Sequence, residues 1–168
     1  MLDEALEAWT YVRHGVIGEA EEIPDDDYAY RPHPESRSVS QLLRHIVESG
    51  LMMAGELSDP EGDFTRDDFP GFMERYAGHL PSDPSPAELR GLLRTTLSDG
   101  VERIRSSGEV AMLQTIRRFD GQTWTRMAWM GHGIAHEEYH RGQVALYARL
   151  LGRVPALTQK IRAADAGG

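Results

Sequence analysis

The chain has 168 residues, 40% hydrophobic and 27% charged, and 27 acidic against 18 basic side chains leave a formal net charge of -9. That is enough for one globular domain with a sizeable core, and the acidic balance argues against a nucleic-acid partner gripped through a basic surface. The absence of cysteine excludes disulfides, cysteine-ligated zinc and a thiol nucleophile of the protein's own; with no apolar run near the roughly 20 residues of a membrane span and no signal peptide in Met1-Leu2-Asp3-Glu4, a soluble cytoplasmic protein with no membrane partner is expected.

Residues 2–22 read as an amphipathic helix. Leu2, Ala5, Leu6, Trp9, Val16 and Ala20 recur at helical spacing, and His14 projects roughly opposite them, into solvent. Ile23-Pro24 ends the helix, because proline lacks the donor and clashes with the preceding turn. Pro24, Pro32 and Pro34 keep residues 24–37 irregular. Asp25-Asp26-Asp27 reads as a solvated turn, since a calcium loop needs alternating ligands and a glycine at set positions. His33, between two prolines, is expected to be exposed.

Ser38 opens the second helix, with Gln41 completing a capping box, and Val39, Leu42, Ile46, Met53 and Leu57 form its apolar stripe. His45 borders that stripe, either as a histidine hydrogen-bonded at the core edge or as a ligand. Residues 58–84 are a long connection with a short helix at Phe69–Ala77 and an exposed His79 beyond it. A connection of that length is usually functional or wraps the surface. Ser85, Pro86 and Glu88 start a third helix carrying Leu89, Leu92, Leu93, Thr96, Leu97, Val101 and Ile104, and Ser106-Ser107-Gly108 is expected to stop it. Met112 to Phe119 resembles one strand running into the Asp120-Gly121 turn, at most a hairpin. The fourth helix runs from about Thr123 or Thr125 to Leu151, stopped by Gly152 with Pro155 beyond, and residues 158–168 are expected to fray as a tail. The fold class is therefore all-α: a single domain over residues 1–157, built as a four-helix bundle with long connections and a short β-hairpin before the last helix.

The last helix carries His132, His136 and His140 at four-residue intervals. Successive members lie about 6 Å apart along the axis, so two can share a metal ion, whereas the outer pair is roughly 12 Å apart. On the helical wheel all three cluster with Trp129, Gln143, Val144, Tyr147 and Leu151; Glu138, Arg141 and Arg149 lie on another side, with Glu137 between. The histidines are thus expected to face the core, where neutral imidazoles need partners. Arg141 is expected outside the core face, pairing with Glu137 or Glu138. His136-Glu137-Glu138-Tyr139-His140 matches the H-E-x-x-H signature, in which the histidines bind zinc and the glutamate is the general base. The remaining zinc-peptidase ligands are missing: Leu146 occupies the metzincin histidine position, no glutamate follows Glu138, there is no cysteine, and only Asp165 could serve an aspartate variant. A third ligand must come from upstream. Among His14, His33, His45, His79 and the carboxylates, His45 is the histidine set within a firm helix near its buried face. Three protein ligands with open positions suit a working metal, and imidazoles suit zinc or nickel alike.

These residues carry a family resemblance. Arg31-Pro32-His33-Pro34-Glu35-Ser36 followed by Ser38 to Ile46, then Gly121 and Thr123, His136 to Gln143, and Leu150 to Pro155 are similar, in that order, to the motifs of the DinB (DinB/YfiT-like) family of metalloenzymes. The resemblance spans residues 1 to about 157 and implies a four-helix bundle, often a homodimer, with a divalent metal on His45, His136 and His140. His132 and Glu137 are left to the pocket or to the shell around the ligands. The resemblance also implies an enzyme of the thiol-dependent S-transferase kind, using a low-molecular-weight thiol such as bacillithiol or mycothiol in detoxification or stress response. Its alternatives are a non-catalytic metal- or ligand-binding bundle and a metal-dependent hydrolase using Glu137. Because the chain has no cysteine, any thiolate belongs to a cosubstrate.

Overall fold

The structure, a computed structural model, describes residues 1–167. Its elements are α1 (Leu2–Glu21), α2 (Val39–Ser58), α3 (Phe69–Ala77), α4 (Pro86–Met112), β1 (Thr115–Arg117), β2 (Thr123–Thr125), α5 (Arg126–Leu150) and α6 (Ala156–Ala166), with a 3-10 turn at Asp25–Asp27. The expected bundle consists of α1, α2, α4 and α5. Around its axis the order is α1, α4, α2, α5, so α1 lies diagonally across from α2 and α4 across from α5. None of the described helices is long and apolar enough to cross a membrane.

The helix starts follow local chemistry. Ser38 and Gln41 exchange both capping-box hydrogen bonds (3.2 and 2.9 Å), and Ser85 and Glu88 do the same. Each box satisfies two of the amide donors that a helix N-terminus leaves without partners. Thr125 caps α5 by accepting from the Ala128 amide, and Asp68 caps α3 by accepting from that of Gly71.

Two elements differ from expectation. The third helix breaks at Gly108 (φ 81°, ψ 161°), then turns helical again as far as Met112. Only glycine occupies that backbone region freely. The resumed turn is anchored because Met112 is buried and the Glu109 carboxylate accepts from the Leu2 amide at 3.0 Å. Residues expected to fray as a tail form α6 instead, because the buried carboxylate of Glu19 on α1 accepts from the Ala156 and Leu157 amides (2.7 and 3.2 Å). That cap comes from another helix, so no local pattern announces it. The expected strand narrows to β1, which pairs antiparallel with β2 in the register Thr115↔Thr125, Ile116↔Trp124, Arg117↔Thr123.

The core is two apolar clusters. One contains Trp9, Met52, Met53, Phe64, Phe72, Ile104 and Trp129; the other contains Val16, Ile17, Leu42, Leu43, Ile46, Leu89, Leu93 and Val144. Along α1, Arg13 falls between Trp9 of the first and Val16 of the second. The long connection after α2 is pinned to this core by buried Phe64, whose amide donates to the Arg117 carbonyl at 3.0 Å.

Candidate metal centre

The inner face of α2 turns His45 toward α5, which presents His136 and His140 one turn apart. His136 Nε2 lies 3.2 Å from His45 Nε2 and 3.1 Å from His140 Nε2. The nitrogens of all three lie within 4.8 Å of one another, a grouping that could hold a metal ion. Tetrahedral ligands at the usual metal–nitrogen distance of about 2.0–2.1 Å stand about 3.3 Å apart, close to the two separations from His136. His140 Nδ1 lies 2.8 Å from Gln143 Oε1, so Nδ1–H donates to the amide oxygen and the Nε2 lone pair is left facing its neighbours.

Burial keeps these rings unprotonated. It pushes His45 down to about 3, helped by the charge of Arg37 and by the other two rings. Burial, His140, His132 and Arg37 push His136 down to about 4. Burial also lowers His140, against the opposing hydrogen bond to Gln143. Three neutral imidazoles at neutral pH are the protonation state that a metal requires of its ligands.

Two spaces meet at the histidines. On one side is a chamber of about 140 Å³ walled by Met52, Met53, Phe64, Phe69, Phe119 and Trp129, with His45 and His136 at its base. On the other, Arg31, Arg37, Gln41, Arg44 and Glu48 line an open polar groove that shares His45 and Phe69 with the chamber. Among the described residues the Arg37 guanidinium has no ion-pair partner, whereas Arg44 pairs with Glu48 at 2.6 Å. A larger groove of about 890 Å³, edged by charged side chains of α1, α4 and α6, includes His14 but none of the three clustered rings.

His132 is not a core residue as expected. It is exposed and stacks on Trp129 at the chamber rim, with centroids 4.2 Å apart and planes at 8°. Helix α5 sits in the corner between α1 and α2, so its buried arc centres on Met130, Glu137, His140, Arg141 and Val144, and His132 falls just outside it. His14, His33 and His79 are exposed, as expected, and lie outside the cluster. Of the aspartates in the 3-10 turn, Asp25 is held by Arg90 at 2.7 Å.

Beneath the histidines lies a charge pair that patterning overlooked. Arg13 is fully buried and Glu137 is 3% exposed. Glu137 Oε1 accepts from Arg13 Nε, and Oε2 accepts from Arg13 Nη2 (2.9 Å) and Trp9 Nε1 (3.0 Å). Arg13 Nη1 donates to the Leu93 carbonyl and the Thr96 hydroxyl (3.1 and 3.2 Å). The signal in the sequence is an arginine at the apolar phase of α1, one turn after Trp9. Arg141 also departs from expectation. It pairs with Glu138 at 3.3 Å but is buried against α1, where its guanidinium fills the space a side chain at Gly15 would need.

The sequence matches the DinB superfamily over residues 8–144. This chain is a DinB superfamily member. Its fold is similar to that of YjoA, a DinB-like protein from Bacillus subtilis, at 22% identity and a TM-score of 0.68 over 89% of this chain and 92% of that one. It is also similar to YfiT from Bacillus subtilis, described as a probable metal-dependent hydrolase with an unusual four-helix bundle topology (14% identity, TM-score 0.68, 90% of this chain and 87% of that one). A third similar structure is a mycothiol-dependent maleylpyruvate isomerase (11% identity, TM-score 0.67), of which the DinB-like chain covers 60% with 86% of its own length. At these identities the likeness is one of fold. No curated protein matches the chain.

Proposed function

We propose that this protein is a divalent-metal enzyme that transfers a low-molecular-weight thiol to an electrophilic substrate, with His45, His136 and His140 as its metal ligands. The observation that carries the reading is the convergence of three neutral imidazole nitrogens where an apolar chamber meets a polar groove. Two approaches of opposite polarity suit two substrates. The thiol dependence of the isomerase that shares this fold supports the choice of cosubstrate. A bound zinc or nickel ion would supply Lewis acidity that favours the thiolate of the cosubstrate at neutral pH. In the transfer, the thiolate sulfur bonds to the electrophilic carbon, the leaving group departs with its bonding pair, and the thiol proton passes to solvent.

The protein's own side chains supply position and environment. His140 is oriented by Gln143, and the aromatic wall excludes water from the electrophile. Arg37 gives the groove an unpaired positive charge for an anionic group of the cosubstrate. Glu137 is unsuited to serve as a hydrolytic base: three of the roughly four acceptor sites of its carboxylate are occupied by Arg13 and Trp9. A homodimer in the cytoplasm remains part of this proposal, and Leu146, Leu150, Leu157 and Ile161 offer exposed apolar surface for it.

The test is elemental analysis with a conjugation assay. Wild-type protein should carry one divalent metal per chain, and His45→Ala should lose it. Metal-loaded wild type should conjugate a candidate thiol to monochlorobimane, and His136→Ala should not. Absence of metal after reconstitution, or conjugation unchanged in His136→Ala, overturns the reading.

A further inference from the structure

The chamber beside the histidines has a size and a lining that specify its occupant. Met52, Met53 and Phe64 are buried in its wall, while Phe69 and Phe119 stand at its rim, 46% and 49% exposed. The rings of Phe64, Phe119 and Trp129 lie 5.0 to 6.3 Å apart, centroid to centroid, as an aromatic corner. Ser49 carries the one hydroxyl in the lining. Glu137 is the one acidic residue there, and its carboxylate is neutralised by buried Arg13. Among the described residues no unpaired side-chain charge therefore faces the interior, and a charged group lodged away from the histidines would lose its hydration without a counterion. The volume of about 140 Å³ decides the rest. An apolar cavity of about 150 Å³ holds a single benzene-sized molecule, and close-packed walls resist a larger one.

We propose that this chamber is the subsite for one neutral, ring-sized group of the electrophilic substrate: a monocyclic aromatic, or a branched aliphatic of the same volume. The group's attachment point then lies at His45 and His136, beside the groove that shares His45 with the chamber. The assignment of the group to an electrophile rests on the transferase reading above. The occupancy itself rests only on the chamber's shape and lining.

The experiment uses two inert probes, fluorobenzene and 1-fluoronaphthalene, titrated into the full-length protein and followed by fluorine NMR. Fluorobenzene should bind saturably at one site. The two-ring probe should bind at least roughly tenfold more weakly, because it overfills the space. Ser49→Leu, which places a branched side chain in the chamber, should weaken fluorobenzene at least roughly tenfold. Phe119→Ala should bring the two probes within about threefold of each other by removing one wall at the exposed rim. If Ser49→Leu fails to fold, as judged by thermal melting, Phe119→Ala decides, since its side chain is half exposed.

His140→Ala separates this proposal from the metal reading, because His140 does not border the chamber. That variant should keep a saturable fluorobenzene site with the preference over 1-fluoronaphthalene, whatever its metal content proves to be. No saturable fluorobenzene site, equal affinity for both probes in wild type, or an unchanged ratio in Phe119→Ala would overturn the proposal. Loss of metal in His140→Ala bears on the metal centre alone.

Discussion

Substituting Glu137 by glutamine asks whether its carboxylate holds the bundle together or works on a substrate. Its partner Arg13 is fully buried, and the Glu137 side chain is 4% exposed. Glutamine keeps the shape but removes the charge, leaving a guanidinium at the centre of the protein without a counterion. Breaking a buried pair in this way costs about 3–5 kcal/mol, a large share of the roughly 5–15 kcal/mol that stabilises an ordinary domain. With a urea dependence near 2 kcal/mol per molar, the unfolding midpoint should fall by about 1.5–2.5 M. Urea titration followed by far-ultraviolet circular dichroism measures it. Replacing both partners by apolar residues, as Arg13→Met with Glu137→Leu, removes the uncompensated charge. It should recover most of the loss, less about 1–2 kcal/mol for the Trp9 indole left without an acceptor. A Glu137→Gln protein within about 0.5 kcal/mol of wild type, a shift typical of neutral surface changes, would refute the structural role. If that variant also lost activity while keeping its metal, Glu137 would regain its claim as a base.

Metal binding should resist acid. Ordinary histidines protonate near pH 6.5, but His45 is held down to about 3 and His136 to about 4. With folded values depressed, the neutral rings' contribution to stability is fully present above about pH 6.5 and is lost as pH falls toward 3–4. Chelator competition should therefore show a smaller loss of affinity from about pH 7 to 5 than three ordinary histidines would give, and a fall of several powers of ten across that interval would contradict it. Gly108→Ala should lose about 1–3 kcal/mol at its positive φ, whereas Gly91→Ala, with open space around it, should gain about 0.5–1 kcal/mol; thermal melts of the pair test the contrast. Arg126 donates to the carbonyls of Glu56, Leu57, Asp59 and Pro60 at 2.7 to 3.1 Å, closing the end of α2. Arg126→Met should cost on the order of 3 kcal/mol in urea unfolding, and amide exchange in the last turn of α2 that stayed at the wild-type rate would contradict the capping role.

Local chemistry made the helical framework legible in the sequence. Ser38-Gln41 and Ser85-Glu88 announce their helices because both capping partners lie within one turn, and the apolar stripes of α1 and α2 fix which faces turn inward. The four-residue spacing of His136 and His140 brings those rings together on any helix. His45, by contrast, lies 91 residues from His136 along the chain, and only the packing of α2 on α5 sets their nitrogens 3.2 Å apart. His132 has the same spacing as its neighbours yet is exposed, because the corner between α1 and α2 selects an arc of α5 narrower than the histidine row. The same corner buries Glu137 and Arg141, which the wheel placed at or beyond the edge of the core face. Arg13 and Glu19 were out of reach for the same reason: each is buried through a partner on another helix or across a loop. The sequence by itself determined the four bundle helices, the capping boxes that start two of them and two of the three converging rings. Tertiary packing decided the third ring, the buried charge beneath them and the chamber beside them, since these depend on which faces of separate helices come to share a space.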